Sequence, residues 1–135
     1  SYTDQGIQTF TYSILPHHGN WEDAGVVRAG WELNQQPITV LETFHDGELP
    51  QRASFLTCDC ENVLVTAFKK SEDGRGRIVR AYETQNKPAQ ATISLGSSGS
   101  VTAQFSPCEI KTFLFPSDGS APVEVNLIED SVHAQ

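Results

Sequence analysis

The sequence lacks the features that mark several functional classes. Its 135 residues include no methionine, no apolar run near the roughly 18 residues of a membrane-spanning helix, and no cluster of lysine and arginine. Nine basic residues stand against 17 acidic ones, and the net charge at pH 7 is −8. Because nucleic acids and anionic lipid surfaces attract basic patches, this composition argues against a nucleic acid or a membrane as partner.

Methionine is missing even from the first position, where the chain begins Ser1-Tyr2-Thr3-Asp4. Either an initiator methionine was removed or the chain is a piece of a longer polypeptide. We favour the second, because nothing before Ile7 resembles a natural leader. A length of 135 residues is that of one ordinary domain, and it is long enough to bury a single apolar core. No linker-like stretch interrupts the chain, so the sequence predicts a single domain over residues 1–135.

Cysteine is scarce, with three residues. Cys58 and Cys60 are two positions apart, so on a strand they would share a face without reaching the geometry of a disulfide. If either of them paired with Cys108, one thiol would remain unpaired. Secreted domains usually carry a larger and even number of cysteines. No histidine lies near the first two cysteines in sequence, so a soft-metal site is not predicted there. The cysteine pattern favours a reduced, intracellular protein.

The chain does contain a series of short alternating segments separated by turn residues. Three apolar residues alternate with hydroxyl-bearing ones over residues 9–14, and this period of two predicts a strand. Segments 62–70 and 78–84 flank a turn rich in Gly, Ser and Asp and form the clearest hairpin. Strands that recur about every ten residues predict an all-β fold, an antiparallel β-sandwich of about seven to eight strands. The further predicted strands are 37–42, 91–95, 101–105, 110–115 and 123–128, and the polar end 130–135 is predicted to fray.

One stretch departs from the strand pattern. Ala24, Val27 and Trp31 fall at helical spacing, which predicts one short helix near residues 22–34. Asn20 is the expected N-cap, and the two carboxylates that follow Trp21 would interact favourably with the positive end of the helix dipole.

The loop before this helix is the richest in chemically active side chains. It runs from Pro16 to Asp23 and holds two histidines, an indole and two carboxylates, which are groups able to bind a metal or a sugar. Adjacent histidines rarely reach one metal together, and the spacing typical of zinc ligands does not occur around this pair. We therefore favour a loop that follows a strand and whose tryptophan packs under the helix. The alternative is a surface that faces a neighbouring domain or a sugar. The residues assigned to this surface are His17, His18, Trp21, Asp23 and Trp31.

Signatures of catalysis are missing. There is no Gly-x-Ser-x-Gly elbow, no phosphate loop and no His-Glu-x-x-His sequence. Glycosidases use two carboxyl groups whose pKa values differ, and the sequence does not show which of the many carboxylates would form such a pair. The sequence therefore predicts no catalytic residue, no cofactor and no metal site within this chain.

Seven segments stand out in order along the chain: DQGIQTFTYSILPH at 4–17, DAGVVRAGWELN at 23–34, NVLV and FKKSED within 62–73, IVRAYE at 78–83, SPCEIKTF at 106–113 and EVNL at 124–127. These segments resemble glycoside hydrolase family 38 α-mannosidases of the cytosolic and bacterial type. They are spread over nearly the whole chain in the right order, which makes the resemblance fairly specific.

The resemblance implies the C-terminal β-sandwich domain of a retaining, zinc-dependent α-mannosidase. In that family the zinc ion and an Asp nucleophile sit on an N-terminal catalytic domain, which a chain of this length does not include. No nucleophile or zinc-ligand motif of the family matches a position here, so no catalytic residue is carried over. The expected role is structural: the domain packs against and braces the catalytic domain in cis. The alternative is an independent carbohydrate-binding module that stacks mannose-containing glycans on Trp21 or Trp31.

Two positions depart from the family pattern. Gln8 stands where cytosolic and bacterial relatives often carry histidine. Cys108 stands where an aromatic residue is usual, which predicts a slightly smaller core contact. The cytosolic type of the resemblance and the cysteine usage together favour the cytoplasm.

Overall fold

A computed structural model describes residues 5–132 of the protein, and the backbone divides into two units, one up to Pro37 and one from Ile38 onward. Asp4, where the first resembling segment begins, lies outside the described residues. All assigned strands lie in the second unit, between Thr57 and Val125. Within residues 5–132, no helix is both long enough and apolar enough to span a bilayer.

The first unit contains one helix, α1, over Val26–Asn34, which confirms the predicted short helix. Asn20 Oδ1 accepts hydrogen bonds from the N–H groups of Glu22 and Asp23, both at 2.9 Å, and Asp23 Oδ2 accepts from Asn20 N at 3.2 Å. This reciprocal arrangement is a capping box. It closes the turn before the helix, because Gly25, at φ 61°, separates that turn from α1. Asn20 therefore caps this turn. The sequence had predicted that it would cap the helix.

Two predicted strands are wrong. Residues 9–14 and 37–42 form no strand in the described part of the chain. A strand requires a neighbour that takes up its N–H and C=O groups, and an alternating sequence indicates which face is apolar without supplying that neighbour.

The second unit is built from two antiparallel sheets, as predicted for an all-β sandwich. The first sheet has the order β1-β4-β5 and the second has the order β2-β3-β6-β7. The strands are β1 Thr57–Cys58, β2 Val63–Lys70, β3 Gly76–Glu83, β4 Ala89–Ser94, β5 Ser100–Phe105, β6 Ile110–Pro116 and β7 Val123–Val125.

The predicted hairpin is the β2–β3 pair. Its register runs from Val63 opposite Glu83 to Lys70 opposite Arg77, with an irregularity between Val65 and Ala67. At the turn, Ser71 Oγ accepts a hydrogen bond from Gly76 N at 3.0 Å, and Ser71 N donates to the Gly76 carbonyl at 3.0 Å.

The main core lies between the two sheets. Phe105 of β5 and Phe113 of β6 meet edge to face there, with ring centroids 6.4 Å apart. Successive side chains of a strand point to opposite faces, so Ile78 lies on the other side of its sheet from Val79, in a smaller cluster with Leu114 and Val125. The buried members of the main core are Val63, Val79, Ala81, Ala89, Ala91, Ile93, Leu95, Phe105, Phe113 and Phe115.

The cysteines form no disulfide with one another. Cys58 and Cys60 are half-buried and pack against the main core. Cys108 is exposed and has a left-handed backbone at φ 58°, in the turn that precedes β6. The predicted core contact of Cys108 is therefore wrong, because the tight turn directs this residue towards solvent.

Residues 126–131 are more ordered than the sequence predicted. Asn126 Oδ1 accepts hydrogen bonds from Ile128 N at 3.0 Å and Asp130 N at 2.9 Å, and this turn ends β7 three residues earlier than predicted. Ser131 then forms a bridge with Val125. Fraying was wrongly predicted for residues 130 and 131, whereas residues 133–135 lie outside the described residues.

Candidate functional site

The two histidines of the predicted site are exposed on the loop before the capping box. His17 Nδ1 lies 3.3 Å from the backbone oxygen of His18, so this ring contacts its neighbour's main chain. Among residues 5–132, no group of three or more His, Cys, Asp or Glu side chains could hold a metal ion. The described loop thus offers no set of converging donors that fits zinc.

Asp23 has a structural task. Its carboxylate accepts the hydrogen bond from Asn20 N in the capping box. Gly19 has φ 75°, and a Cβ atom at this position would come within 2.7 Å of Asp23 Oδ2. A side chain at Gly19 would therefore disturb the bond that shapes the loop, and Asp23 positions the residues around it.

The two tryptophans are half-exposed, Trp21 at 46% and Trp31 at 36%. The Trp21 carbonyl accepts a hydrogen bond from Val26 N at 3.2 Å, so Trp21 lies where the capped turn meets α1. The Trp31 carbonyl accepts from Gln35 N at 2.8 Å at the end of α1. Backbone bonds therefore hold both indole-bearing residues in place.

Trp31 lines an open depression of about 390 Å³ together with Val27, Gly30 and Asn34. These four positions are three and four apart and so share one face of α1. Asn34 Nδ2 donates a hydrogen bond to the Gly30 carbonyl at 2.8 Å. The structure thus joins Trp31 to helix neighbours that the sequence did not assign to the site. None of the other four predicted residues is among those lining the depression.

Sequence reasoning missed the exposed apolar residues before the loop. Ile7, Phe10, Tyr12 and Ile14 are each more than three quarters exposed. The Phe10 and Tyr12 rings lie 6.2 Å apart between centroids. Their alternation was visible in the sequence, but it was attributed to a strand within this chain's own sandwich.

In the second unit, a buried carboxylate serves the fold. Glu83 is fully buried, and its two oxygens accept four hydrogen bonds: from Asn62 Nδ2 at 2.8 Å, Gln85 N at 2.6 Å, Lys87 N at 3.1 Å and Cys108 N at 2.9 Å. Burial alone would raise the pKa of Glu83, but these donors together outweigh it and hold the pKa below its ordinary value. Glu83 therefore remains ionised inside the protein.

A largely buried cation also lies in the second unit. Lys111 Nζ lies 2.8 Å from Glu124 Oε1 and 3.4 Å from Glu109 Oε1. Burial would lower the pKa of Lys111, but the two carboxylates raise it above its ordinary value. Lys111 of β6 thus forms structural ion pairs with Glu124 of β7 and with Glu109 in the turn before β6.

Comparison with known proteins shows what the second unit is similar to. The family model described as the glycosyl hydrolases family 38 C-terminal beta sandwich domain matches residues 62–104, from the start of β2 into β5. No solved structure matches the chain.

The curated relatives include proteins named as α-mannosidases. Alpha-mannosidase G of Dictyostelium discoideum is 34% identical over 87 residues, which is 60% of this chain and 8% of that protein. Human alpha-mannosidase 2C1 is 29% identical over 94 residues, covering 68% of this chain and 9% of that protein. A putative mannosylglycerate hydrolase of Halalkalibacterium halodurans is 28% identical over 76 residues, with coverage of 56% and 8%.

The resemblance to the C-terminal β-sandwich domain of family 38 α-mannosidases is therefore confirmed. The chain spans 8 to 9% of the length of these curated relatives.

Proposed function

We propose that this chain is the non-catalytic C-terminal part of a retaining, zinc-dependent enzyme that hydrolyses α-mannosides. In this proposal it packs against the catalytic domain of the same polypeptide and braces it, and the protein resides in the cytoplasm. Similarity to a short stretch of much longer α-mannosidases supports the assignment. The zinc ion would be held in the catalytic domain, since the described residues of this chain lack a fitting donor set.

The observation that carries the bracing role is the apolar surface of the first unit. No residue of α1 is buried, and its large apolar side chains Val26, Trp31 and Leu33 each leave about one third of their surface in water. Apolar side chains that remain partly in water on one element offer a surface that a partner can cover. Fully burying a large apolar side chain contributes about 1.5–3 kcal/mol, so covering the exposed third of each of these contributes about 0.5–1 kcal/mol.

The loop before α1 suits an interface because its shape is fixed in advance. The capping box between Asn20 and Asp23 and the left-handed glycines Gly19 and Gly25 define its backbone. A preorganised loop loses little entropy when a neighbour docks on it. Trp21 and His17 would then contact the catalytic domain at fixed positions.

The experiment uses the full-length enzyme that contains this chain. We expect Trp31→Ala, and separately removal of loop residues 17–22, to lower both the melting temperature and the activity on an α-mannoside. Glu32→Gln on the same helix is the matched control and should leave both unchanged. Unchanged activity and melting temperature in the Trp31 and loop variants would contradict the bracing role.

A carbohydrate-binding module is the second candidate, and the depression beside Trp31 favours it. An indole face next to an amide is a combination that suits a sugar ring, and about 390 Å³ lies within the range of small-ligand sites. The test is a titration of the isolated chain with mannose and short α-mannosides, followed by tryptophan fluorescence and ligand-observed NMR. Saturable binding that Trp31→Ala abolishes would support the module. No binding at millimolar ligand would leave the bracing role as the function.

A further inference from the structure

The segment before the loop has an unusual composition for an exposed part of an acidic protein. Residues 5–16 contain no Asp, Glu, Lys or Arg, whereas the whole chain has a net charge of −8. Within this segment Phe10, Tyr12 and Ile14 are 79%, 76% and 81% exposed. They alternate with Thr9, Thr11 and Ser13, so an extended backbone places three large apolar side chains on one face and three hydroxyl groups on the other.

Exposed strands are normally protected against pairing. Native proteins place lysine, proline or a bulge on an edge strand, so that another chain cannot add to it. Residues 9–14 carry none of these residue types, and Pro16 comes only after the strand-like pattern ends. In the described part of the chain, residues 9–14 also lack a partner strand. The segment therefore has the composition of a strand whose backbone pairs with another strand and whose apolar face is covered.

The other exposed apolar stretch fits this description less well. Ile38, Val40 and Leu41 are also exposed, at 92%, 76% and 96%. However, Val40 and Leu41 are adjacent, so an extended backbone would direct them to opposite faces. Glu42 follows directly and places a charge at the end of the pattern. Residues 9–14 are thus the stronger candidate.

We propose that residues 9–14 dock by β-strand addition onto the open edge of a sheet in the adjoining part of the same polypeptide. This proposal rests on the proposed function, and it names the contact through which bracing occurs. Main-chain hydrogen bonds supply the attachment, and the apolar face enters the apolar surface beneath that sheet edge. The docking strand is defined as residues 9–14.

A partner in the same polypeptide is favoured over a second copy of this chain. The relatives extend well beyond the match, which covers only 8 to 9% of their length, so ample chain is available to provide a sheet edge. A covalently linked partner is present at high effective concentration. Two copies would instead bring together two molecules that each carry a net charge of −8, and their mutual repulsion opposes association.

Hydrogen–deuterium exchange tests the docking strand directly. The amides of residues 9–14 would be compared between the isolated 135-residue chain and the full-length enzyme. A strand added at an edge donates alternate N–H groups to its neighbour, so we expect every second amide of the six to exchange about tenfold or more slowly in the full-length enzyme. Equal exchange in both proteins would overturn the proposal. Protection that appears in the isolated chain and grows with its concentration would assign the strand to a second copy and also overturn it.

A matched pair of variants tests the apolar face. Tyr12→Ser removes one of the three apolar contacts and should restore fast exchange in the full-length enzyme. Thr11→Ser changes the opposite face and should leave the protection intact. Both side chains belong to a segment that is exposed in this chain, so neither substitution removes a buried contact. Equal effects of the two variants would contradict the proposed orientation.

The outcome is separable from that of the bracing role. If residues 9–14 exchange fast in the full-length enzyme while Trp31→Ala still lowers its melting temperature, the strand proposal fails and bracing stands. If the amides are protected and Trp31→Ala has no effect, docking through the strand stands and the proposed role of α1 fails.

Discussion

Glu83 shows how one side chain joins three segments of the sandwich. Its carboxylate accepts hydrogen bonds from Asn62 at the start of β2, from the loop after β3, and from Cys108 in the turn before β6. Burying a charge is costly unless it is hydrogen-bonded, and four donors meet that condition here. The donors Gln85 N and Lys87 N flank Asn86, and Cys108 N is itself a donor, so these bonds hold two residues that have left-handed backbones.

Removal of this carboxylate should destabilise the second unit strongly. We expect Glu83→Ala to lower the free energy of unfolding by about 3 kcal/mol or more, because several buried N–H donors lose their acceptor. Glu83→Gln keeps the size but loses the charge, and it should cost less. The measurement is urea unfolding followed by far-UV circular dichroism. Glu48→Ala, at an exposed position, is the control, and equal midpoints for Glu83→Ala and this control would contradict the prediction.

Acid should weaken the fold through carboxylates whose pKa values are lowered. Hydrogen bonds from Thr92 lower the pKa of Asp59, and Lys69 lowers that of Glu129, while the donors around Glu83 outweigh its burial. A folded-state pKa below the ordinary values of 3.8 for Asp and 4.5 for Glu means that folding disfavours protonation. The resulting stability is present above these values and is lost as the pH falls through the folded-state pKa values.

We therefore expect a melting temperature that changes little from pH 7 to about pH 5 and falls steadily below about pH 4.5. Thermal unfolding at a series of pH values measures this. Glu83→Gln should start from a lower melting temperature and lose less of it in acid. If the melting temperature fell equally steeply with pH in the variant and in the parent chain, Glu83 would not contribute to the acid sensitivity.

At the scale of elements, the C-terminal segment is fastened to the β2–β3 turn. The buried carboxylate of Glu129 lies 2.7 Å from Lys69 Nζ and accepts a hydrogen bond from Glu72 N at 2.7 Å. Its carbonyl accepts another from Arg75 Nη2 at 2.6 Å. Glu129 itself has φ 73°, a conformation that costs energy outside glycine and persists because the surrounding bonds hold it.

This anchor predicts coupling between two distant positions in the sequence. Glu129→Gln and Lys69→Met should each lower the melting temperature, and the double variant should lose less than the sum of the two. The reason is that each substitution removes the same ion pair, so the second finds it already gone. Lys70→Met is the control, because Lys70 is exposed on the neighbouring position of β2. Full additivity for Lys69 and Glu129 would indicate that the ion pair adds nothing to stability.

At the scale of the whole molecule, the apolar core and the tryptophans lie in different units. All buried apolar residues in the described chain fall between Val63 and Val125. Both tryptophans lie in the first unit, up to Pro37, and both are substantially exposed. Tryptophan fluorescence therefore reports an environment outside the apolar core.

We expect unfolding of the sandwich to be nearly invisible in tryptophan emission. In a urea titration of the isolated chain, far-UV circular dichroism should show a cooperative transition, whereas the emission maximum should start near its solvent-exposed position and shift little. Phe113→Leu should move the dichroism midpoint to lower urea by creating a small cavity, at about 1 kcal/mol, without altering the emission. A large blue-shifted emission that is lost together with the dichroism would contradict this arrangement.

Sequence by itself determined the elements whose signals are local. The β2–β3 hairpin, strands β4 to β6 and the short helix follow from side-chain periods and turn residues, and so does the all-β class. The family resemblance was also a property of the sequence alone. For the site, the structure places Trp31 beside Val27, Gly30 and Asn34, which the sequence had not assigned to the site.

Only the tertiary structure decided matters that depend on a distant partner. Residues 9–14 have a strand's alternation, but pairing requires a neighbour that the alternation does not specify. Glu83 resembled any solvated carboxylate, because its donor Cys108 N lies 25 residues further along the chain. Likewise, Cys108 resembled a core contact until the turn before β6 placed it in solvent. Side-chain period is a property of the local backbone, whereas pairing and burial of charge depend on which segments meet in space.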